Sequence, residues 1–157
     1  MKRLTVLICV LLAASGVLHS QTVQILEELL GSVRLRNEQA AWLVLEAAEA
    51  AYSAGDPQGQ SAQAAAFRYA VERQWFSGAA APEGWITLDQ ASLLIMRAFD
   101  LKGGVLYTLT GSPHYAYREL EYQGILQGKV NPKTRVSGDL LLFIVNRVLS
   151  YKEAEWL

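Results

Sequence analysis

Apolar residues recur at helical spacing along most of this chain, and the interruptions between the apolar runs are as informative as the runs. Val23, Ile25, Leu26, Leu29 and Leu30 fit one face of a short helix closed by Gly31. Residues 40–51 are rich in Ala, Leu and Glu, which favour helix, and Gly55-Asp56-Pro57 ends that run. Residues 58–63 are small and polar and read as a loop or a helix entry, ahead of a helix predicted over 64–76. A loop over 78–84 leads to a helix over 88–99 that turns Leu94, Ile95 and Ala98 inward. Gly103-Gly104 breaks the next stretch, and residues 105–110 alternate weakly, as a short strand or an apolar extended arm over the core would. Pro113 suits the first turn of a helix over 114–126. Residues 127–135 read as its loop, 140–149 as the last strong helix, and 152–157 as a mostly polar tail carrying Trp156.

These elements repeat. Shifted by fifty residues, 116–149 lies on 66–99 without a gap, with six identities: Ala66/Ala116, Arg68/Arg118, Gly78/Gly128, Pro82/Pro132, Asp89/Asp139 and Arg97/Arg147. Roughly two or three would follow from ordinary composition. Class matches add weight, among them Phe67/Tyr117, Trp75/Ile125, Phe76/Leu126, Ile86/Val136 and Thr87/Ser137. Gly78 and Gly128 are placed to stop a helix in a left-handed conformation. Pro82 and Pro132 stiffen the loop, and Thr87 and Ser137 stand where N-caps stand. Gln90, three residues after Thr87, completes a capping box, and Asp89 and Asp139 fall in the first turn, where the helix dipole favours an anion. A partial third copy lies upstream, with 35–48 on 86–99 at an offset of fifty-one. The fold class expected is mainly α: tandem helix-loop-helix units, about 23–51, 64–99 and 114–149, packed as one pseudo-symmetric helical domain.

The first twenty residues read as a signal peptide, with Lys2 and Arg3 ahead of an apolar run over 4–14 that is too short to span a bilayer. Residues 21–157 are then the mature domain, exported to the periplasm or cell envelope with no retained membrane span. Loss of Lys2 and Arg3 takes the formal charge from −1 to −3, with 12 basic against 15 acidic side chains, which is no footprint for nucleic acid. The same cut removes Cys9, the only cysteine, so neither a disulfide nor thiol chemistry is expected.

At Ala116-Tyr117, Gly124-Ile125-Leu126-Gln127-Gly128, Pro132, Val136-Ser137 and Arg147-Val148-Leu149 the chain resembles the S-layer homology repeat. That repeat has an aromatic-bearing helix, a Gly-Ile-Ile-x-Gly turn, a proline loop, a Thr-Arg-Ala-Glu box and a closing Arg-x-Leu. The resemblance implies three units in a pseudo-threefold helical domain, and attachment of an exported protein to cell-wall polysaccharide or peptidoglycan. The box itself reads Thr87-Leu88-Asp89-Gln90 here, Ser137-Gly138-Asp139-Leu140 in the later unit and Arg36-Asn37-Glu38-Gln39 in the partial copy. The arginine that the resemblance would aim at an anionic glycan is absent from its place in all three.

No catalytic constellation stands out. With His19 in the leader, His114 is the one histidine, it has no Gly-x-Ser-x-Gly elbow for company, and it reads as a surface residue at a helix start. Glu72 and Glu83 read as solvated surface rather than as a carboxylate pair. No metal spacing is present, so no cofactor, no metal and no enzyme activity are expected. Arg97 and Arg147, near helix ends, suit the dipole and can tie loop carbonyls. Trp85, Tyr117, Arg118 and Arg68 are the candidate ligand-binding residues, rings and guanidinium forks that a sugar or a protein could meet; Tyr107, Tyr115 and Tyr122 also lack apolar counterparts. The partner expected is a cell-wall glycan or an envelope protein, the chain acting as a non-catalytic binding module; the alternative is a periplasmic protein–protein adaptor without glycan binding.

Overall fold

Where each helix starts and stops follows from a few side chains at its ends. The computed structural model describes residues 27–49, 61–76, 80–128 and 130–155. The leader read over residues 1–20, the Gly55-Asp56-Pro57 break and Gly78 lie outside them. The described chain is mainly helical and has no strand among the described residues. After a helical turn at 27–30 come α1 (Asn37–Ala47), α2 (Ala62–Glu72), α3 (Leu88–Ala98), α4 (Val105–Thr110), α5 (Pro113–Tyr122) and α6 (Gly138–Glu155).

Hydroxyl caps open three of these helices. Ser61 Oγ accepts from Ala64 N at 3.2 Å, Ser112 Oγ from Tyr115 N at 3.5 Å with Pro113 in the first turn, and Ser137 Oγ from Leu140 N at 3.3 Å. The capping box expected at Thr87 does not form. Thr87 Oγ1 donates instead to Asp89 Oδ1 at 2.6 Å, and the same carboxylate oxygen accepts from Gln90 N at 3.0 Å. An ionised oxygen is the stronger acceptor, so the buried aspartate takes both donors. Lys133 Nζ reaches its other oxygen at 2.6 Å.

Helix ends correct a second expectation. The left-handed residue that closes α5 is Gly124 (φ 72), whose N–H bonds Glu121 O while Ile125 N reaches back to Leu120 O. Gly128 (φ 81) lies in the loop beyond. Fifty residues earlier Gln74 (φ 59) closes α2 with the same pair of bonds, to Val71 O and from Trp75 N to Ala70 O. Ile125, Leu126, Trp75 and Phe76 therefore fall after their helices, not within them. Asp100 (φ 51) and Glu49 (φ 50) end α3 and α1 alike. Two further expectations give way. Residues 105–110 are a short helix, stopped by left-handed Gly111, and the polar tail continues α6 to residue 155.

Packing runs between successive units. Helix α1 lies against α2, α3 against α5, and α1 also touches α3 and α6. At the centre, Leu35, Ile86 and Val136 are each fully buried. Leu35 N donates to Val136 O at 2.8 Å, Val136 N to Ile86 O at 3.1 Å, and Ile86 N to Leu35 O at 3.1 Å, so three backbone bonds close a ring. One step out, Asn37 N bonds Gly84 O, Leu88 N bonds Thr134 O and Gly138 N bonds Ser32 O, at 2.8, 2.9 and 3.0 Å. The starts of α1, α3 and α6 thereby find carbonyl partners in distant loops for amides that have none within the helix. Around the ring the core holds Trp42, Phe67, Phe76, Phe99 and the aliphatic faces of α1, α3 and α6.

Candidate ligand-binding cleft

The proline loop at 81–85 and the start of α1 are stitched together. Asn37 N and Glu38 N donate to the Gly84 and Pro82 carbonyls at 2.8 and 3.2 Å, and Asn37 Nδ2 donates to Ala81 O at 2.8 Å. Gly84 leaves Asn37 its room, since a Cβ would lie 2.9 Å from Asn37 Nδ2 and 3.1 Å from Ala81 O. This stitching pairs Arg36 with Trp85 in an isolated antiparallel bridge. The indole is 43% exposed, where a core residue at this place would be covered.

Beside Trp85 is a cleft of about 360 Å³ lined by Glu28, Ser32, Arg34, Arg36, Glu38, Gln39 and Gln63. Arg36 Nη1 stands 4.0 Å from Glu38 Oε1, and Gln39 Oε1 accepts from Arg36 N at 2.9 Å. Two guanidiniums, two carboxylates and two amides give the cleft donors and acceptors in balance, with one apolar ring on its wall. Such a surface can hold a polyhydroxylated ligand by hydrogen bonds while the ring covers its C–H face.

The other residues singled out in the sequence do not share this cleft. Tyr117 is 5% exposed, which corrects its reading as a ligand-facing ring: its hydroxyl donates to Val130 O at 2.7 Å and lies 3.1 Å from Glu121 Oε1. Burial, and then Glu121, push its pKa above the ordinary tyrosine value. Phe67 is buried against Phe76, ring centroids 5.0 Å apart, so the rings next in sequence to Arg68 and Arg118, Phe67 and Tyr117, are both covered. Both arginines are on the exposed sides of α2 and α5. Tyr107 is buried, Tyr115 is half-buried and Tyr122 is exposed. Arg147 donates to the Gly124 carbonyl. Arg97 instead stacks over Tyr107 at 5.5 Å. Pro132 accepts from Asp89 N at 2.9 Å, as Pro82 does from Glu38 N. The three positions where the resemblance would put the box arginine are Asn37, Leu88 and Gly138, and all three are buried.

His114 is exposed with its ring against Tyr115, centroids 5.3 Å apart. Glu72 and Glu83 are both exposed. Among the described residues no group of three His, Cys, Asp or Glu side chains could hold a metal ion, and no helix is long and apolar enough to cross a membrane. No family model, curated protein or solved structure matches this chain.

Glu28, Ser32, Arg34, Arg36, Glu38, Gln39 and Gln63 are the cleft residues that sequence reasoning missed. For Arg36 the available signal was its place in the sequence alignment of the units. Arg36 holds the place of Thr87 and Ser137, so the loop that precedes α3 was bound to meet it wherever successive units pack.

Proposed function

We propose that this protein is an exported, non-catalytic binding module of the bacterial cell envelope that holds peptidoglycan or another wall polysaccharide in the Trp85 cleft. The observation that carries this reading is the half-exposed indole set among Arg34, Arg36, Glu28, Glu38, Gln39 and Gln63. A sugar ring offers an apolar face and a rim of hydroxyls, and the cleft offers both complements on a wall fixed by backbone bonds. The S-layer homology-like spelling of the two full units points to the same class of ligand, through different residues. The buried box positions cannot serve, so Trp85 and the residues around it carry the contact instead.

Retention on purified peptidoglycan tests the proposal. The wild-type chain is expected to be retained, and Trp85→Ala to bind at least tenfold more weakly, a loss of about 1.4 kcal/mol. Retention of the wild type no better than that of an unrelated protein of equal charge removes the glycan reading.

One observation favours the adaptor reading instead. Val105 and Leu109 on α4 are 81% and 80% exposed and Leu106 is 54% exposed, an apolar surface on a helix of six residues. Crosslinking in intact cells decides between the two: an envelope protein joined through α4 supports the adaptor, and crosslinks to wall material through the Trp85 cleft support the module.

A further inference from the structure

Arg97 in α3 and Arg147 in α6 occupy the same place in successive units, yet their guanidiniums are employed differently. Arg147 is held by its own loop: it donates to the Gly124 carbonyl and, with the Gln127 amide turned to suit it, to Gln127 Oε1 from both terminal nitrogens at 3.1 and 3.0 Å. Arg97 has no hydrogen bond or ion pair among the described residues; its guanidinium lies 5.5 Å from the centre of the Tyr107 ring. Its donors open onto a cleft of about 460 Å³ whose walls include Trp75, Asp100, Lys102 and Tyr107.

This cleft exists because α3 stops where α6 continues. Left-handed Asp100 turns the chain out of α3, and residues 101–104 and α4 then build a wall that has no counterpart in the last unit, where α6 runs on to residue 155. The wall is fixed. Gln123 Nε2 donates to Lys102 O at 2.7 Å, and Gly103 lies so close to Tyr107 that a Cβ would stand 2.3 Å from its ring. A site with set walls binds without the cost of ordering them.

Two cations, Arg97 and Lys102, and one acid, Asp100, line the cleft together with the aromatic Trp75 and Tyr107. A guanidinium fork matches a carboxylate with two parallel bonds, and the aromatic walls suit a small organic body behind it. We propose that the cleft between the end of α3 and α4 is a second binding site, which takes a ligand through its carboxylate. Asp100 sets the orientation, since it repels an anion placed anywhere but on the Arg97 and Lys102 side. The site stands whether or not the Trp85 cleft binds a glycan.

The test is a titration of the ¹⁵N-labelled full chain, followed at the Trp75 indole N–H and the Arg97 Nε–H. The probes are N-acetylmuramic acid, N-acetylglucosamine and N-acetyl-D-alanyl-D-alanine. The first two differ in one carboxylate-bearing lactyl group, and the third carries its carboxylate on a peptide. Saturable shifts at both signals with a carboxylate probe, and none with the neutral sugar, support the site; which probe acts tells a sugar-borne from a peptide-borne carboxylate. Arg97→Gln is expected to weaken binding at least tenfold, exposed Lys102→Gln several-fold, and Asp100→Asn to tighten it. Trp85→Ala is expected to leave it unchanged, which separates this site from the other cleft. No saturable shift with either carboxylate, equal shifts with the neutral sugar, or unaltered affinity in both Arg97→Gln and Lys102→Gln overturns the proposal.

Discussion

Gly138 opens α6 with its N–H on the Ser32 carbonyl, and the start of that helix is pressed against the turn at 27–30. A Cβ on Gly138 would lie 1.7 Å from the Leu29 carbonyl oxygen, 2.6 Å from its carbon and 3.1 Å from Leu30 Cα. All three are backbone atoms, so no side-chain rotation can relieve the overlap; α6 or the turn has to move. Overpacking costs about 1–3 kcal/mol where side chains can yield, and the displaced Ser32 bond adds about 1 kcal/mol. Gly138→Ala is therefore expected to destabilise by about 3 kcal/mol or more, lowering Tm by about 10 °C. Gly124→Ala is the control. Gly124 is left-handed at φ 72 with nothing within 4 Å of a Cβ, so the substitution carries only the conformational cost of about 1–2 kcal/mol. Urea unfolding followed by circular dichroism measures both, with an unchanged denaturant slope showing that the two-state comparison holds. If Gly138→Ala costs no more than Gly124→Ala, the join between the last unit and the first is not as described, and the reasoning built on it fails.

Tyr117→Phe removes the bond to the Val130 carbonyl and is expected to cost about 1 kcal/mol in the same assay. Burial raises the pKa of both Tyr107 and Tyr117 above the ordinary 10.0. The folded protein thus keeps those protons longer than the unfolded chain does, so their contribution is complete below pH 10.0 and drains away as pH climbs through the raised values. Alkaline unfolding should begin above that point, and Tyr117→Phe should flatten the slope; a slope the same in wild type and variant would contradict the assignment. Asp89 is 2% exposed while its partner Lys133 is 73% exposed. Lys133→Met should therefore cost only about 1 kcal/mol, as Thr87 and Gln90 still serve the carboxylate. A loss several times larger, by the same urea midpoint, would mean that the pair is far less solvated than its exposure indicates.

The mainly helical class of the fold was legible in the sequence, and the places where the sequence misled have physical reasons. The alignment that set Leu35 on Ile86 and Ile86 on Val136 is the register in which those residues meet. What the alignment could not reveal was which residue turns left. Glycine is the usual choice, and the two glycines that recur, Gly78 and Gly128, drew attention from Gly124 because its counterpart is Gln74. The capping box at Thr87 was a local pattern overruled by a charge: the buried Asp89 carboxylate takes the hydroxyl and the Gln90 amide on one oxygen and Lys133, from a distant loop, on the other. Residues 105–110 carry alternating apolar side chains in a helix too short to bury them, so their periodicity had little to say. Of the four ligand candidates only Trp85 sits in its cleft. Tyr117 aligns with buried Phe67, and that correspondence was the better guide to its fate.

The three bonds joining Leu35, Ile86 and Val136 have a bearing on how this chain can change in number of copies. An open stack of repeats grows or shrinks by one member at a modest penalty at its end. A closed triangle has no end. Deleting one segment would strand an amide and a carbonyl in a dry interior, each costing about 1–3 kcal/mol, and a fourth segment would find no vacant vertex. Room for added length then lies in the connections between its corners, as in the stretch from Leu101 to Gly111 between the Ile86 and Val136 corners.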